Sequence, residues 1–185
     1  MLHYPLPLLG VCAYSGTGKT TLLTRLLPLL TTKGLRIAVI KHAHHDFDID
    51  QPGKDSYKIR EAGAEQILIA SRQRMALMKE FQDKREEPSL EECLSAIDAR
   101  NIDLVLVEGF KHEEIAKIEL HRSELKKPFL FPDDENIIAI ATDKPLQMKT
   151  DQCVNLDLNN PEQIAEFIIA FYQSQKTTES QCQTQ

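Results

Sequence analysis

The chain has 185 residues, 42% hydrophobic and 27% charged, which suits one globular domain of ordinary size and excludes disorder throughout. Its 22 Lys and Arg against 28 Asp and Glu give a formal net charge of −6, so nonspecific nucleic-acid binding, which depends on clustered positive charge, is not expected. Cys12, Cys93, Cys153 and Cys182 form no C-x-x-C pair, a usage that fits free thiols in a reducing compartment and argues against a disulfide framework and a Cys-based zinc site.

No apolar run approaches the roughly 18 residues that suggest a membrane span. The opening MLHYPLPLLGVCAYSG has no Lys or Arg and carries Pro5 and Pro7, so it reads as the approach to a first strand and not as a signal peptide. A cytoplasmic protein is expected. Leu8–Ala13 is the first of several short apolar runs, followed by Leu35–Ile40, Gln66–Ala70, Leu104–Val107 and Ile137–Ala141. Most are rich in Val and Ile without clean alternation, as in strands covered on both faces of a parallel sheet.

Helical signals lie between these runs. Thr20–Leu30 sets Leu22, Leu23, Leu26, Leu27 and Leu30 on one stripe, with Gly34 available to end it and Pro28 as a defect that removes a donor. Residues 56–62 make a short helix ended near Gly63. Ser89 with Glu92 reads as a capping box opening a helix through Ala99. Asn160-Pro161 opens another, Pro161–Tyr172, with Ile164, Phe167, Ile168 and Phe171 on one face. Arg74–Glu80 and Ile115–Arg122 alternate like sheet-edge strands. Alternating strands and helices predict an α/β sandwich with a mostly parallel sheet. The organisation expected is one nucleotide-binding domain over residues 1–173 and a polar, disordered tail over 174–185.

The strongest chemical signal is Ala13-Tyr-Ser-Gly-Thr-Gly-Lys-Thr20, set between the first strand and the first helix. It follows the P-loop pattern G-x-x-x-x-G-K-[ST], with Ala13 in place of the first Gly. Gly16 and Gly18 allow a tight turn that points successive N–H groups at phosphate oxygens. Lys19 brings charge to the β- and γ-phosphates, and the Thr20 hydroxyl can ligate Mg²⁺. Ser15, Gly16, Thr17, Gly18, Lys19, Thr20 and Thr21 are the expected nucleotide-binding set, beneath which the helix sets its positive end. A second acid follows in Asp103-Leu-Val-Leu-Val-Glu108-Gly109. Glu108, at the carboxyl end of a strand, is placed to hold Mg²⁺ through water or to orient an attacking water, whereas Asp103 lies at the far end.

After the second strand, Lys41–Ser56 packs three His, four Asp and two Lys into sixteen residues, in the position of a switch-like loop. His42, His44 and His45 offer an alternative transition-metal site, although they sit too close together on an extended segment to face one ion easily. The three stretches A-Y-S-G-T-G-K-T-T-L, K-H-A-H-H-D-F-D-I-D-Q-P-G-K-D-S and V-E-G-F-K-H-E-E-I-A-K-I closely resemble the molybdopterin-guanine dinucleotide biosynthesis adaptor family. The resemblance runs from about residue 8 to residue 170. It implies a three-layer α/β P-loop NTPase with a mostly parallel central sheet and some antiparallel edge strands, often dimeric.

The resemblance further implies a GTP-binding adaptor with weak GTPase activity. It would assist the MobA-like nucleotidyltransferase that joins GMP to molybdopterin, with molybdopterin itself a possible further partner. In this resemblance Gly16, Gly18, Lys19 and Thr20 hold phosphates and metal, Glu108 is the second acid and Gly109 the adjoining backbone contact, so that Lys19 and Glu108 carry what catalysis there is. His44, His45, Asp48, Asp50, Lys54 and Asp55 fall in the family's characteristic loop, as a partner or switch surface. No N-K-x-D sequence is present for guanine. Asp143, in Ala141-Thr-Asp-Lys144, is a candidate acceptor for the guanine N–H groups, with an ordinary turn before Pro145 as the alternative, and GTP over ATP rests on the resemblance alone. Competing readings are a small-molecule kinase of the same fold and a nickel-inserting GTPase.

Overall fold

The computed structural model describes residues 4–43, 47–81, 87–146 and 153–182. The chain divides into two compact units, Met1–His42 with Leu90–Gln185, and Ala43–Ser89. The expected single domain over 1–173 is therefore interrupted by a unit of its own.

The first unit is built on six parallel strands: β1 (Leu8–Cys12), β2 (Ile37–Lys41), β5 (Leu104–Glu108), β6 (Lys117–His121), β7 (Ile137–Thr142) and β8 (Val154–Asp157). They lie in the order β2-β5-β1-β6-β7-β8, with every neighbouring pair parallel. Alternate side chains go to opposite faces. Leu104 and Leu106 meet α1 (Lys19–Thr32) and α4 (Pro161–Cys182) in one core, while Val105 and Val107 meet Ile40 and the Leu90 and Leu94 side chains of α3 (Leu90–Ser95) in another. Helices thus cover both faces, and a strand buried on both sides has to be apolar throughout, as LVLV of β5 is. Burial of each large side chain such as Leu26, Leu30, Ile164 or Ile168 contributes roughly 1.5–3 kcal/mol.

Several sequence expectations need correction. Ile115–Arg122 is no edge: β6 lies between β1 and β7, and its polar alternation comes from Lys117 and Glu119, 2% and 0% exposed. Both are satisfied internally. Lys117 Nζ donates to Asp134 Oδ2 at 2.6 Å and to the Lys111 carbonyl at 2.9 Å, and the Glu119 carboxylate accepts the N–H groups of Leu130 and Phe131 at 2.8 and 2.9 Å. Gln66–Ala70 lies outside the central sheet. The helix at Ser89 stops at Ser95, whereas α1 passes through Pro28, which is exposed, so the carbonyl it leaves unpaired can meet water. The polar tail is also corrected: α4 continues from Tyr172 to Cys182, because QSQKTTESQC has no Gly or Pro and extends a helix already nucleated by its packed N-terminal half. At the start of α4 the expected cap is present, Asn160 Oδ1 accepting the Gln163 N–H at 3.1 Å.

The second unit contains α2 (Asp55–Glu61) and an antiparallel ribbon of β3 (Gln66–Ala70) and β4 (Met75–Lys79). Its turn is closed by Ser71, whose Oγ accepts the N–H groups of Gln73 and Arg74. Arg60 of α2 ties the unit together, pairing with Asp48 and with Glu80. The ribbon leaves Leu68, Ile69, Met75 and Leu77 exposed.

Candidate nucleotide site

Because all six strands of the first unit run the same way, the residues following β1, β2, β5, β6 and β7 gather at one edge of the sheet, where ligands of open α/β folds bind. β1 delivers the phosphate loop. Gly16 at φ +82° and Gly18 at φ +100° occupy the left-handed region, which side-chain-bearing residues adopt only at a cost. Thr17 is turned inward and 2% exposed, and its hydroxyl donates to the Tyr14 carbonyl at 2.8 Å. Its side chain therefore braces the loop. Gly18 caps α1 without any side-chain bond, and the first turn carries no acid, so the helix presents its unpaired N–H groups and positive end to an anion. Lys19 Nζ folds over the loop to the carbonyls of Ala13 and Tyr14, at 3.2 and 3.5 Å. Ser15, Gly16, Thr20 and Thr21 are exposed at the mouth.

Beside the loop, β2 and β5 are in register at Lys41 and Glu108. Glu108 is buried, and the Lys41 ammonium stands 3.6 Å from its Oε2 and 3.5 Å from the Thr20 hydroxyl oxygen. Two hard oxygen donors thus converge on a place already held by a cation. That arrangement fits Mg²⁺, with Thr20 and Glu108 as the groups that would hold it. At Gly109, φ is +95°, and a Cβ there would lie 2.6 Å from His42 Cβ. His42 closes in because its N–H donates to the Glu108 carbonyl at 2.9 Å and its ring rests 4.8 Å from that of Phe110. Asp103, at the other end of β5, is gripped by Arg36 through two bonds of 2.9 Å, which hold its carboxyl down at about 2.

Two residues of this edge were missing from the sequence reading. Arg122 directly follows β6, the neighbour of β1; its Nε donates to the Thr17 carbonyl at 2.8 Å and its Nη2 lies 3.7 Å from the Cβ position of Gly18. Ser123 donates its N–H and hydroxyl to the two oxygens of Asp143, at 2.9 and 3.0 Å. Burial pushes the Asp143 carboxyl up, but these bonds outweigh it and hold the group below its usual range. Asp143 thus ties the ends of β6 and β7 together, and each of its oxygens keeps a lone pair for a further donor. The signal for Arg122 is its place after a strand, which acquires meaning only once that strand is known to lie beside β1.

The segment Lys41–Ser56 is divided. Lys41 and His42 belong to the first unit and the rest to the second; His44 and His45 lie outside the described residues. Asp48 pairs with Arg60, which draws its carboxyl below the usual range. Asp50 Oδ1 accepts the Ser56 hydroxyl and the Gln51 N–H, both at 2.9 Å. Lys54 and Asp55 are exposed at the start of α2, where the Asp55 charge suits the helix end. Among the described residues no group of three or more His, Cys, Asp or Glu is arranged to hold a metal ion, and no described helix is long and apolar enough to cross a membrane.

Residues 8–143 match the family model for molybdopterin guanine dinucleotide synthesis protein B. The chain belongs to this family. The molybdopterin-guanine dinucleotide biosynthesis adapter protein of Escherichia coli (strain K12) is 49% identical to it over 171 residues, which cover 92% of this chain and 95% of that protein. The adapter protein of Haemophilus influenzae (strain ATCC 51907 / DSM 11121 / KW20 / Rd) is 46% identical over 168 residues, 90% of each chain. Among solved structures, the crystal structure of a molybdopterin-guanine biosynthesis protein B is similar with a TM-score of 0.70 at 28% identity, covering 90% of this chain and 99% of that one. A homologue from Bacillus stearothermophilus, at 22% identity and a TM-score of 0.66, shares the fold. The stretch matched to the family contains the phosphate loop, Lys41, Glu108, Gly109, Arg122 and Asp143.

Proposed function

We propose that this chain is a cytoplasmic adapter of molybdopterin guanine dinucleotide biosynthesis that binds GTP with Mg²⁺ and assists the nucleotidyltransferase, MobA-like, that attaches GMP to molybdopterin. The adapter role rests on family membership. The observation that carries nucleotide binding is the uncapped, acid-free start of α1 behind Gly16 and Gly18, with Lys19 folded across the loop. In this reading the N–H groups of residues 15–21 receive the phosphates, and Lys19 leaves two weakly held carbonyls to neutralise them. Thr20 and Glu108 hold Mg²⁺, which supplies charge against the phosphate oxygens. Asp143 accepts from the guanine N–H groups, and Ser123 keeps it ionised for that task. Hydrolysis is weak and incidental to the adapter role.

Titration calorimetry with GTP and ATP, on the parent chain and on Lys19→Ala, tests the binding. GTP affinity should fall at least tenfold in the variant, a change of roughly 1.4 kcal/mol; affinity within threefold of the parent would sink the reading. A pull-down of the nucleotidyltransferase with GTP, GDP and no nucleotide tests the partnership, which fails if no condition retains it. We further propose a homodimer formed through the β3–β4 ribbon. The support is the apolar surface of Leu68, Met75 and Leu77 on a two-stranded element, which is marginal in water unless something covers it.

A further inference from the structure

Lys41 ends β2 in register with Glu108, and its ammonium spans the two groups read above as the metal-holding pair, 3.6 Å from Glu108 Oε2 and 3.5 Å from Thr20 Oγ1. The two side chains differ in setting. That of Glu108 is 9% exposed and that of Lys41 57% exposed, so one is fixed in the protein and the other free to leave. A carboxylate so far out of water needs a compensating charge. Among the described residues the ion-pair partner of Glu108 is Lys41.

We propose that Lys41 is the resident counter-cation of the metal position. Without nucleotide its ammonium keeps Glu108 and Thr20 in their places, and a divalent cation binds there only by displacing it. This rests on the reading of Thr20 and Glu108 as the pair that holds Mg²⁺. The chemistry is a competition between two cations for one carboxylate. Lys41 is a point charge on a flexible stem, so it can withdraw into water without loss of packing. It also ends β2 and begins the Lys41–Ser56 segment, so displacement acts on the residue that leads the chain into that segment. A different role, direct capture of phosphate, makes the opposite prediction, because removal of the charge would then weaken nucleotide binding at every Mg²⁺ concentration.

The test uses the full chain without nucleotide and Mn²⁺ as probe, a paramagnetic dication that accepts the same oxygen donors. Free Mn²⁺ is read by electron paramagnetic resonance for the parent, Lys41→Met, Lys41→Gln and Lys41→Arg, and for Lys41→Met in a Glu108→Gln background. Mn²⁺ affinity should rise about fivefold or more in the Met and Gln variants, the scale expected for removing a like charge at this range. It should stay near the parent in Lys41→Arg, and the gain should vanish with Glu108→Gln. Affinity in Lys41→Met and Lys41→Gln that is undetectable or within twofold of the parent would overturn the proposal, as would a gain that survives Glu108→Gln. Failure of the nucleotide reading is seen separately, as a parent chain that takes up no GTP, since the Mn²⁺ measurement needs none.

Discussion

Gly109 carries two constraints at once, a left-handed φ of +95° and a neighbour, His42, that leaves no room for a Cβ. Gly34 has the first constraint without the second: its φ is +87° with nothing within 4 Å. Gly34→Ala should therefore cost about 1 kcal/mol and Gly109→Ala about 2–3 kcal/mol. Equal losses in denaturant melts would show that the approach of His42 carries no weight. Arg122 is set against the phosphate loop from outside it. Arg122→Ala should lower GTP affinity about tenfold, as loss of a charge-assisted bond does, with little change in the melting temperature; unchanged affinity would leave it a brace for Thr17. Cys12 makes a third case. Burial, and then the nearby Glu119, push its thiol up to about 12, so it should resist iodoacetamide at pH 8 in the native chain and react on unfolding. Peptide mapping of the labelled protein reads this directly.

At the scale of elements, the ribbon of β3 and β4 sets Leu68 opposite Leu77, both exposed. Leu77→Glu should leave the monomer's stability unchanged within about 0.5 kcal/mol and abolish self-association in sedimentation runs. A parent chain that stays monomeric at all concentrations, or a variant that still dimerises, would remove the ribbon as the interface. The same ribbon shows where sequence reading ran out. QILIA looks like a buried strand because short apolar runs do not reveal which sheet will take them. Lys117 and Glu119 misled in the other direction, since an alternation of polar residues ordinarily marks a solvent-facing strand, and their burial depends on Asp134, Leu130 and Phe131, later in the chain. The left-handed turn at Gly16 and Gly18 and the Asn160 cap were legible because each is built from residues within a few positions of one another. Arg122 and Lys41 were not, because their meaning lies in strand order.

For the whole molecule, acid behaviour should report the clasp between Arg36 and Asp103, which joins the chain entering β2 to the start of β5. The Asp103 carboxyl sits at about 2 in the folded chain, below the roughly 3.9 of an unfolded one. Its contribution is complete above that higher value and disappears as pH falls through the lower one. The stability difference between the parent and Arg36→Met should thus hold constant above about pH 4 and shrink toward pH 2, as followed by urea melts. A difference that does not narrow would assign the loss to packing. The central place of β1 has a consequence in time. Residues 8–12 are made well before the strands that flank them, 104–108 and 117–121. At ordinary rates of synthesis that interval is on the order of ten seconds. Each newborn copy therefore carries β1, and the loop that follows it, without either neighbouring strand until residues 104–108 and 117–121 have been made.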